Sequence, residues 1–279
     1  MKTGYVIDST IDLPEATLKK YGVRVVPLKV IWGANEYLDK QTISADEFFA
    51  GLGKPGPLPR SSAPSAGDFL NAYKEMFDKG CEQIISLHIS SKLSSTLQAA
   101  NIAASAAGGK VRVVDSQSIS IGAGLLLLEA IKLAEGGGTA KEVEEVLSQK
   151  NGGPDIYFVV DDLNYLFKGG RIGRAKKILG TMLDIKPLLF VKNGEVAVKD
   201  KIIGKKNVLK RIEKIFQDWK QGKRKISRIA VIYSNSKEKI RPILALSKKY
   251  FPEIEPIITQ ASPVVGCHVG PGLMAVSAY

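Results

Sequence analysis

The chain has 279 residues, 44% of them hydrophobic, which is enough for two medium-sized domains, and its two cysteines are too few for a disulfide framework. No window approaches the roughly 18 uninterrupted apolar residues of a membrane helix, and the start carries no signal-peptide pattern, so we expect a soluble, cytoplasmic protein. The net charge of +12 arises after residue 150, where 24 Lys and Arg oppose 11 Asp and Glu, a balance that suits nucleic acid, anionic lipid, an acidic partner or only a solvated face.

Strands and helices alternate in the first half of the chain. Strands are predicted at residues 5–7, 84–89 and 111–114, and helices from about 12 onward, over 93–107 and through 125–133. Such alternation predicts a parallel sheet covered on both faces. Four prolines fall between residues 55 and 65, so this segment is predicted to be an extended loop rather than a strand or helix.

A turn sequence, NGGP at residues 151–154, separates this half from a second one, and we place the domain boundary there, giving domains 1–153 and 154–279. The hairpin predicted at 186–202, closed by Asn193-Gly194, implies antiparallel pairing in the second domain. The other elements predicted there are a strand at 156–160, a helix, glycine turn and helix over 163–185, an amphipathic helix at 205–220, a strand at 229–234, a helix at 237–250 and a strand at 254–259.

Common cofactor signatures do not occur in this sequence. There is no G-x-x-x-x-G-K-[ST] loop, and no G-x-G-x-x-G follows a predicted strand. With two histidines and two cysteines, metal ligands would have to be carboxylates, and the pairs Asp8/Asp12 and Asp161/Asp162 look more like caps. We therefore expect no metal and no cofactor. Cys81 and Cys267 are predicted to be small buried hydrophobic residues.

Three loops are rich in small hydrogen-bond donors, namely residues 61–65 (SSAPS), 90–96 (SSKLSST) and 268–272 (HVGPG). The second loop joins the carboxyl end of a predicted strand to the amino end of a helix, where free N–H groups attract an anion. One of Ser90, Ser91 and Ser94 is expected to cap that helix. One cap needs one hydroxyl, so the remaining hydroxyls indicate a ligand.

Two histidines are candidates for chemistry. His88 lies inside an apolar alternation and is predicted to be a hydrogen-bonded strand residue, whereas His268 precedes a Gly-Pro-Gly turn that would aim its side chain. A serine hydrolase or transferase could pair Ser94 with His268 as its base. The same groups could equally donate hydrogen bonds to a bound carboxylate without any bond cleavage.

Six segments in a fixed order resemble the DegV family of bacterial fatty-acid-binding proteins, which includes the FakB-type carrier subunits of fatty acid kinase. They are VIDSTIDLP, RSSAPS, ISSKLSSTLQAA, VDSQSIS, LNYLFKGGRIGRAKKILGTMLDIKPLL and HVGPG. The resemblance implies an α/β protein with an N-terminal parallel-sheet domain and a C-terminal domain whose sheet is largely antiparallel. It also implies a long-chain fatty acid as ligand, buried between and within the domains.

The resemblance assigns the carboxylate of that acid to Ser61, Ser94 and His268. Ser61 stands where the family has threonine, and Ser95 replaces the glycine of the family's L-S-G-T motif. The loops around these residues would support the headgroup through Ser62, Ser95, Thr96 and Gly270. The tail pocket has no assigned residues, and the apolar segments 125–128 and 178–185 are candidates for it.

The resemblance further implies a non-enzymatic carrier that presents its acid to a separate ATP-dependent kinase. Arg171 and Arg174 would contact that kinase or the acyl-phosphate product, since a guanidinium suits phosphate oxygens. A transient contact with an anionic membrane surface is a further expectation for the basic half. Nucleic acid is not expected as a partner, because the sequence has none of the named nucleic-acid motifs.

Overall fold

The computed structural model describes residues 2–149, 153–178, 185–204 and 207–279. Its strands are β1 (Thr3–Asp8), β2 (Arg24–Val26), β3 (Lys29–Trp32), β4 (Asn35–Leu38), β5 (Arg60–Ser62), β6 (Gln83–His88), β7 (Val111–Asp115), β8 (Asp155–Val159), β9 (Ile185–Lys192), β10 (Glu195–Ile203), β11 (Ile229–Tyr233), β12 (Ile257–Gln260) and β13 (Met274–Ala278). Its helices are α1 (Glu15–Lys20), α2 (Ala45–Leu52), α3 (Ala66–Asp78), α4 (Thr96–Ser105), α5 (Ser120–Glu135), α6 (Ala140–Gln149), α7 (Asn164–Lys168), α8 (Asn207–Gln221), α9 (Arg241–Tyr250) and α10 (Pro263–Val269). Two 3-10 segments span Gly173–Ile178 and Lys237–Ile240.

The first domain is built on a parallel sheet with the spatial order β2-β1-β6-β7. Successive strand residues point to opposite faces. Val6 and Ile84 pack with α3 and α4, whereas Ile7 and Ile85 join the core that includes α5 and α6. The predicted parallel sheet with both faces covered is confirmed.

A small antiparallel sheet, β4-β3-β5, lies beside the parallel one and corrects one prediction. Residues 55–65 were expected to form a loop throughout, but Arg60–Ser62 pairs with β3 as β5. Residues 60–62 contain no proline, so their N–H groups can donate hydrogen bonds to a neighbouring strand. The segment is already extended, so it needs little reordering to pair with the free edge of β3. This pairing fixes Ser61 opposite Val30.

The second domain contains a six-stranded sheet with the order β10-β9-β8-β13-β11-β12. Every neighbouring pair is antiparallel except β11 and β12. The hairpin of β9 and β10 is confirmed, and both turn residues, Asn193 and Gly194, have positive φ angles of 51° and 79°, as a two-residue type I′ turn requires. The expected fold class, a parallel-sheet domain followed by a domain with a largely antiparallel sheet, is confirmed.

Several predicted helix boundaries differ from the structure. α4 begins at Thr96 instead of residue 93, because residues 90–95 form a hydrogen-bonded turn. The segment 163–185 gives only the short α7 and a 3-10 segment among its described residues, and residues 179–184 lie outside them. The loop predicted at 268–272 begins inside a helix, since His268 belongs to α10. The amphipathic helix predicted at 205–220 is α8, in which Val208, Ile212 and Ile215 are buried and Leu209 is 39% exposed.

The two domains share one hydrophobic core. Its buried members include Ile7 and Leu87 of the first sheet and Phe158 and Ile232 of the second. α10 belongs to the C-terminal part of the chain but packs on α2, β3 and β5. In the described part of the chain, no helix combines the length and the apolar character that crossing a membrane would demand.

Candidate functional site

An apolar cavity lies where the two domains meet. It is bounded by the loops that follow β1 and β6, by residues of β8, β11 and β13, and by α10. Its lining residues are Thr10, Leu28, Ser61, Ile89, Leu93, Ser94, Ile119, Ser120, Ile156, Phe158, Leu166, Arg171, Val196, Ile232, Val264, Val265, His268, Val269, Leu273 and Ala275. The carboxyl edge of a parallel sheet is the usual ligand position in open α/β folds.

Three of the polar members of this lining border a second space as well. Ser61, Arg171 and His268 also line an adjoining surface pocket, together with Arg60 and Lys168. Residues that border both spaces lie between the interior cavity and the surface pocket. We call this group of three, with Ser94, the cavity mouth. The predicted carboxylate-binding residues Ser61, Ser94 and His268 therefore all line one cavity.

Ser61 and His268 are joined by a hydrogen bond, with 2.7 Å between Ser61 Oγ and His268 Nε2. β5 holds Ser61 and the last turn of α10 holds His268, so the bond ties the small antiparallel sheet to the helix. Among the described residues, His268 Nδ1 has no hydrogen-bond partner although it is buried. Without an acceptor or donor at Nδ1, the imidazole lacks the orienting group that a catalytic base normally has.

Burial, together with repulsion from the nearby Arg171 guanidinium, lowers the pKa of His268 to about 4. The imidazole is therefore neutral near pH 7 and has one N–H to donate. The positive charge at the mouth comes from Arg171, whose Nε donates to the Leu93 carbonyl at 2.9 Å and whose Nη1 donates to the Gly169 carbonyl at 2.8 Å. These bonds hold the guanidinium beside the loop that carries Ser94.

Ser94 bonds locally rather than to a histidine. Its Oγ lies 2.8 Å from Thr96 Oγ1 and accepts the Thr96 N–H at 3.3 Å. The proposed nucleophile and base of a hydrolase, Ser94 and His268, are not hydrogen-bonded to each other in the structure; His268 meets Ser61 instead. Ser94 thus presents a hydroxyl to the cavity next to the first N–H groups of α4.

The remaining hydroxyls of the 90–96 loop have separate partners. Ser90 donates to the Gly194 carbonyl of the β9–β10 turn at 2.8 Å, and Ser91 donates to the Asp115 carboxylate at 2.6 Å. Ser95 is the N-cap residue of α4 but makes no side-chain capping bond, and it is exposed. Of Ser90, Ser91 and Ser94, the expected capping residues, Ser94 accepts the N–H of the first residue of α4, while the N-cap position itself belongs to Ser95.

Two expected supporting residues flank the mouth. Ser62 is half-buried, and its hydroxyl donates only to the Ala63 carbonyl at 3.5 Å. Gly270 ends α10 with a positive φ of 67°, a conformation that suits glycine. Arg174, expected to meet a partner, is an exposed residue paired with Glu195 at 3.0 Å, so it differs from Arg171, which reaches the cavity.

Sequence reasoning missed Gly169 and the hydroxyls of the cavity wall. A Cβ added at Gly169 would lie 2.3 Å from His268 Nδ1, so glycine makes room for the imidazole. Thr10 and Ser120 line the cavity, but their hydroxyls donate to the buried carboxylates of Asp8 and Asp12. The wall is therefore less polar than its composition suggests. The glycines of residues 169–173 are visible in the sequence, but the packing of Gly169 against His268 is not.

The apolar run of residues 125–128, predicted as a tail-pocket candidate, does not line the cavity, and Leu125, Leu126 and Leu127 are instead buried in the shared core. The other candidate segment, 178–185, lies mostly outside the described residues. The residues that do line the apolar part come one to three at a time from strands, from α7 and α10, and from connecting segments, so they form no continuous run in the sequence.

His88 belongs to a second hydrogen-bonded group, inside the first domain. Its Nδ1 lies 3.1 Å from Asp8 Oδ2 and its Nε2 lies 2.7 Å from Ser86 Oγ. Hydrogen bonds thus link Ser86 to His88 and His88 to Asp8, as in a catalytic triad, but all three side chains are fully buried. The prediction of a hydrogen-bonded strand histidine is confirmed. Cys81 and Cys267 are also buried and unpaired, as predicted.

The fold and the cavity together define a two-domain α/β protein that encloses an apolar space between its domains and places hydroxyl, imidazole and guanidinium groups at one mouth. The chain belongs to the DegV family: the sequence model of that family, described as "Uncharacterised protein, DegV family", matches residues 2–279.

Relatives of this chain include proteins described by what they bind. A DegV family protein of Thermus thermophilus, described as fatty acid binding, is 35% identical and superimposes with a TM-score of 0.91 over 100% of this chain and 99% of its own. DegV of Bacillus subtilis, described as a fatty acid binding protein, is 26% identical with a TM-score of 0.89, covering 100% and 99% of the two chains. A Thermotoga maritima protein named fatty acid-binding protein is 29% identical over 98% of this chain and 96% of its own.

Proposed function

We propose that this protein binds a long-chain fatty acid, with the acyl tail in the apolar cavity and the carboxylate at the mouth, held by Ser61, Ser94 and His268. The observation that carries the proposal is the cavity itself: its lining is mostly apolar, and Ser61, Ser94, His268 and Arg171 are among its few polar members. The other two polar lining residues, Thr10 and Ser120, give their hydroxyl protons to buried carboxylates. The fatty-acid-binding relatives in the same family support the ligand class.

The two parts of the cavity have different energetic roles. Burying about 14 methylenes at about 0.8 kcal/mol each contributes roughly 11 kcal/mol, while each hydrogen bond to a charged group contributes only about 1.5 to 3 kcal/mol. Association and ordering costs offset much of the tail term. The tail therefore supplies affinity, and the mouth fixes the orientation and selects an acid over an alcohol or ester.

The mouth groups match a carboxylate in number and charge. Ser61 and Ser94 each have a hydroxyl that can turn to donate, and neutral His268 has one N–H. Arg171 adds a positive charge beside these donors, and its Nε and Nη1 donate to backbone carbonyls that fix its place. Neutral hydrogen-bond donors with a cation nearby stabilise an ionised carboxylate and still allow the fatty acid to dissociate.

The cavity is narrow. Its volume is about 60 Å³, which is space for only a few water molecules, each needing about 10 to 15 Å³ on this measure. An acyl tail therefore requires the lining side chains to move apart. Much of the lining is Leu, Ile and Val, whose packing against a tail can replace their packing against one another.

The surface pocket beside the mouth suits the further role of a FakB-type carrier, in which a separate ATP-dependent kinase phosphorylates the bound acid. Arg60, Lys168 and Arg171 line it and would attract the transferred phosphoryl group or acidic side chains of the kinase. Exposed apolar side chains adjoin these cations, with Leu58 39% and Phe167 44% exposed. That combination also favours brief contact with an anionic membrane as the source of the acid. A partner that uses ATP places this role in the cytoplasm.

The binding proposal is tested with delipidated protein and a saturated series of fatty acids, measured by calorimetry and by native mass spectrometry. We expect one acid per chain, bound noncovalently and released unchanged, and weaker binding of the methyl ester and the alcohol of the same length. Equal binding of acid and ester would contradict a carboxylate site. Turnover of the ester would instead establish the hydrolase that pairs a serine with His268.

The kinase role has its own test. In a reconstituted assay with a bacterial fatty acid kinase, Arg171→Glu should slow acyl-phosphate formation more than it weakens acid binding. Arg241→Glu is the matched control, because Arg241 is an exposed arginine paired with Glu238 and lines neither the cavity nor the surface pocket. A normal rate with Arg171→Glu would contradict the assigned role of this residue.

A further inference from the structure

A buried charged cluster lies beneath α10, in the first domain. Asp12 and Asp39 are fully buried. Lys40 joins them, with 2.8 Å between its Nζ and Asp12 Oδ1, and its own side chain is one-third exposed. Buried carboxylates are costly unless they are paired and hydrogen-bonded, so the cluster needs a structural or functional reason.

Each carboxylate of the cluster accepts a hydrogen bond from the backbone of α10 or its N-cap. The Ser262 N–H donates to Asp12 Oδ1 at 3.1 Å, and the Val264 N–H donates to Asp39 Oδ1 at 3.2 Å. The other carboxylate oxygens are fixed from the opposite side by hydroxyls of the first domain. Ser120 donates to Asp12 and Ser9 donates to Asp39, both at 2.6 Å. The two carboxylates thus tie the start of α10 to the first domain.

The cluster and the cavity mouth are linked through one turn of helix. Val264, whose N–H Asp39 accepts, stands four residues before His268, so the two lie on the same face of α10. Both line the cavity. The middle of α10 lies against α2 so closely that a Cβ added at Gly266 would be 2.5 Å from the Phe48 ring. A helix this short, held at its start and seated on α2, has little freedom to turn its last residues.

We propose that Asp12 and Asp39 are positioning residues that hold α10 in the rotation at which His268 meets Ser61. The acid-binding consequence rests on the proposed function, whereas the effect on the imidazole does not. Loss of the Asp39 acceptor should let α10 shift, break the hydrogen bond between His268 and Ser61, and weaken binding of the acid to the same degree as loss of the imidazole.

The chain has only two histidines, which makes the first test direct. Protein labelled with [15N]histidine should show two imidazole spin systems, and His88, buried with Asp8 and Ser86, reports whether the first domain is folded. In Asp39→Ala without ligand, the His268 signals should move and begin to titrate between pH 5 and 7, while those of His88 stay. Asp39→Asn keeps an acceptor oxygen for Val264 and should leave both imidazoles as in the wild type.

Three results would overturn the proposal. The first is an unchanged His268 spectrum in folded Asp39→Ala, even if that variant melts at a lower temperature. The second is an equal shift in Asp39→Asn. The third is an equal shift in the control Asp200→Ala, which removes a carboxylate paired with Arg211 away from α10. Should Asp39→Ala fail to fold, Asp39→Ser gives the same comparison, because the serine hydroxyl is one bond shorter than the carboxylate that accepts the Val264 N–H.

Binding of palmitate gives the second test, as a double-mutant cycle. Asp39→Ala and His268→Gln should each weaken binding about tenfold, and the double variant should be no weaker than His268→Gln alone. Full additivity of the two losses would contradict positioning through His268. If the wild-type protein binds no acid, the proposed function fails, and the imidazole spectra still decide the positioning role.

Discussion

Ser61 Oγ and His268 Nε2 lie 2.7 Å apart although 207 residues separate them in the chain. One residue belongs to an edge strand of a small sheet, and the other belongs to a helix that comes from the C-terminal part of the chain. The mouth of the cavity is therefore assembled only when both parts of the chain are folded against each other. A headgroup site of this kind couples ligand binding to the stability of the whole molecule.

Removing single donors at the mouth should weaken binding without abolishing it. Ser61→Ala, Ser94→Ala and His268→Ala each delete one group from the headgroup site, and a bond to a charged acceptor is worth about 1.5 to 3 kcal/mol, or roughly tenfold to hundredfold in Kd. Titration calorimetry with a saturated acid measures the loss. Ser61→Thr retains the hydroxyl and should bind nearly as well as wild type.

Ser105→Ala is the matched control for these variants, because Ser105 is an exposed serine of α4 whose Oγ donates only to the Asn101 carbonyl. It should bind the acid as the wild type does. Unaltered affinity for the acid in both Ser94→Ala and His268→Ala would contradict the proposed headgroup site at these residues.

The sequence was sufficient for the parallel sheet, the β9–β10 hairpin and the family, because each depends on local signals. Alternating strands and helices predict parallel pairing, and Asn193-Gly194 supports the positive φ angles of a type I′ turn. β5 could not be predicted in this way. Arg60–Ser62 has no strand pattern of its own and becomes a strand only because β3 offers it a free edge.

The site shows the same division between local and tertiary information. Hydroxyl-rich loops singled out Ser61 and Ser94, yet the partner of each hydroxyl in the 90–96 loop depends on tertiary contacts. Ser90 is used by the turn of a distant hairpin. The apolar run at residues 125–128 is more hydrophobic than the true lining but belongs to the core, because hydrophobicity reports burial and not what a residue is buried against.

Acid should destabilise the protein partly through His268. Its pKa in the folded chain is lowered to about 4 by burial and by Arg171, whereas an unfolded histidine titrates near 6.5. Between these values the unfolded chain binds the proton more readily, so the stability contributed by neutral His268 is present above pH 6.5 and is lost as the pH falls towards 4. Thermal melting of His268→Gln should show a weaker dependence on pH over this window. An identical pH profile for the two proteins would contradict the lowered pKa.

Gly169 should be as important for binding as a donor at the mouth, although it makes no contact with the acid. Alanine there would place its Cβ 2.3 Å from His268 Nδ1 and 2.9 Å from the Tyr165 carbonyl, so the imidazole must leave its place beside Ser61. Gly169→Ala should therefore lower affinity about as much as His268→Ala. Gly67→Ala is the control, because its added Cβ would meet nothing closer than 3.6 Å. If Gly169→Ala and Gly67→Ala bind the acid with equal affinity, the His268 imidazole can accommodate the added methyl group without losing its place beside Ser61.

Asp39 should make the protein less stable as the pH rises towards neutrality. Burial, with a smaller contribution from neighbouring Asp12, raises the pKa of this carboxyl to about 7, even though Lys40 and the Ser9 hydroxyl favour its ionised form. In the unfolded chain the same group titrates near 3.9. The folded state therefore holds the proton more tightly, so the contribution of Asp39 is complete below about pH 4 and is lost progressively up to about pH 7.

Replacing Asp39 by asparagine removes this dependence while keeping an oxygen that can accept the Val264 N–H. Relative to wild type, Asp39→Asn should gain stability as the pH is raised from 4 to 8, and urea unfolding at four or five pH values measures the gain as a growing difference in midpoint. Asp200→Asn controls for the loss of a negative charge in a protein that is already basic. A difference that shrinks with rising pH would mean that attraction to the nearby Lys40 outweighs burial, and that Asp39 is ionised in the folded protein.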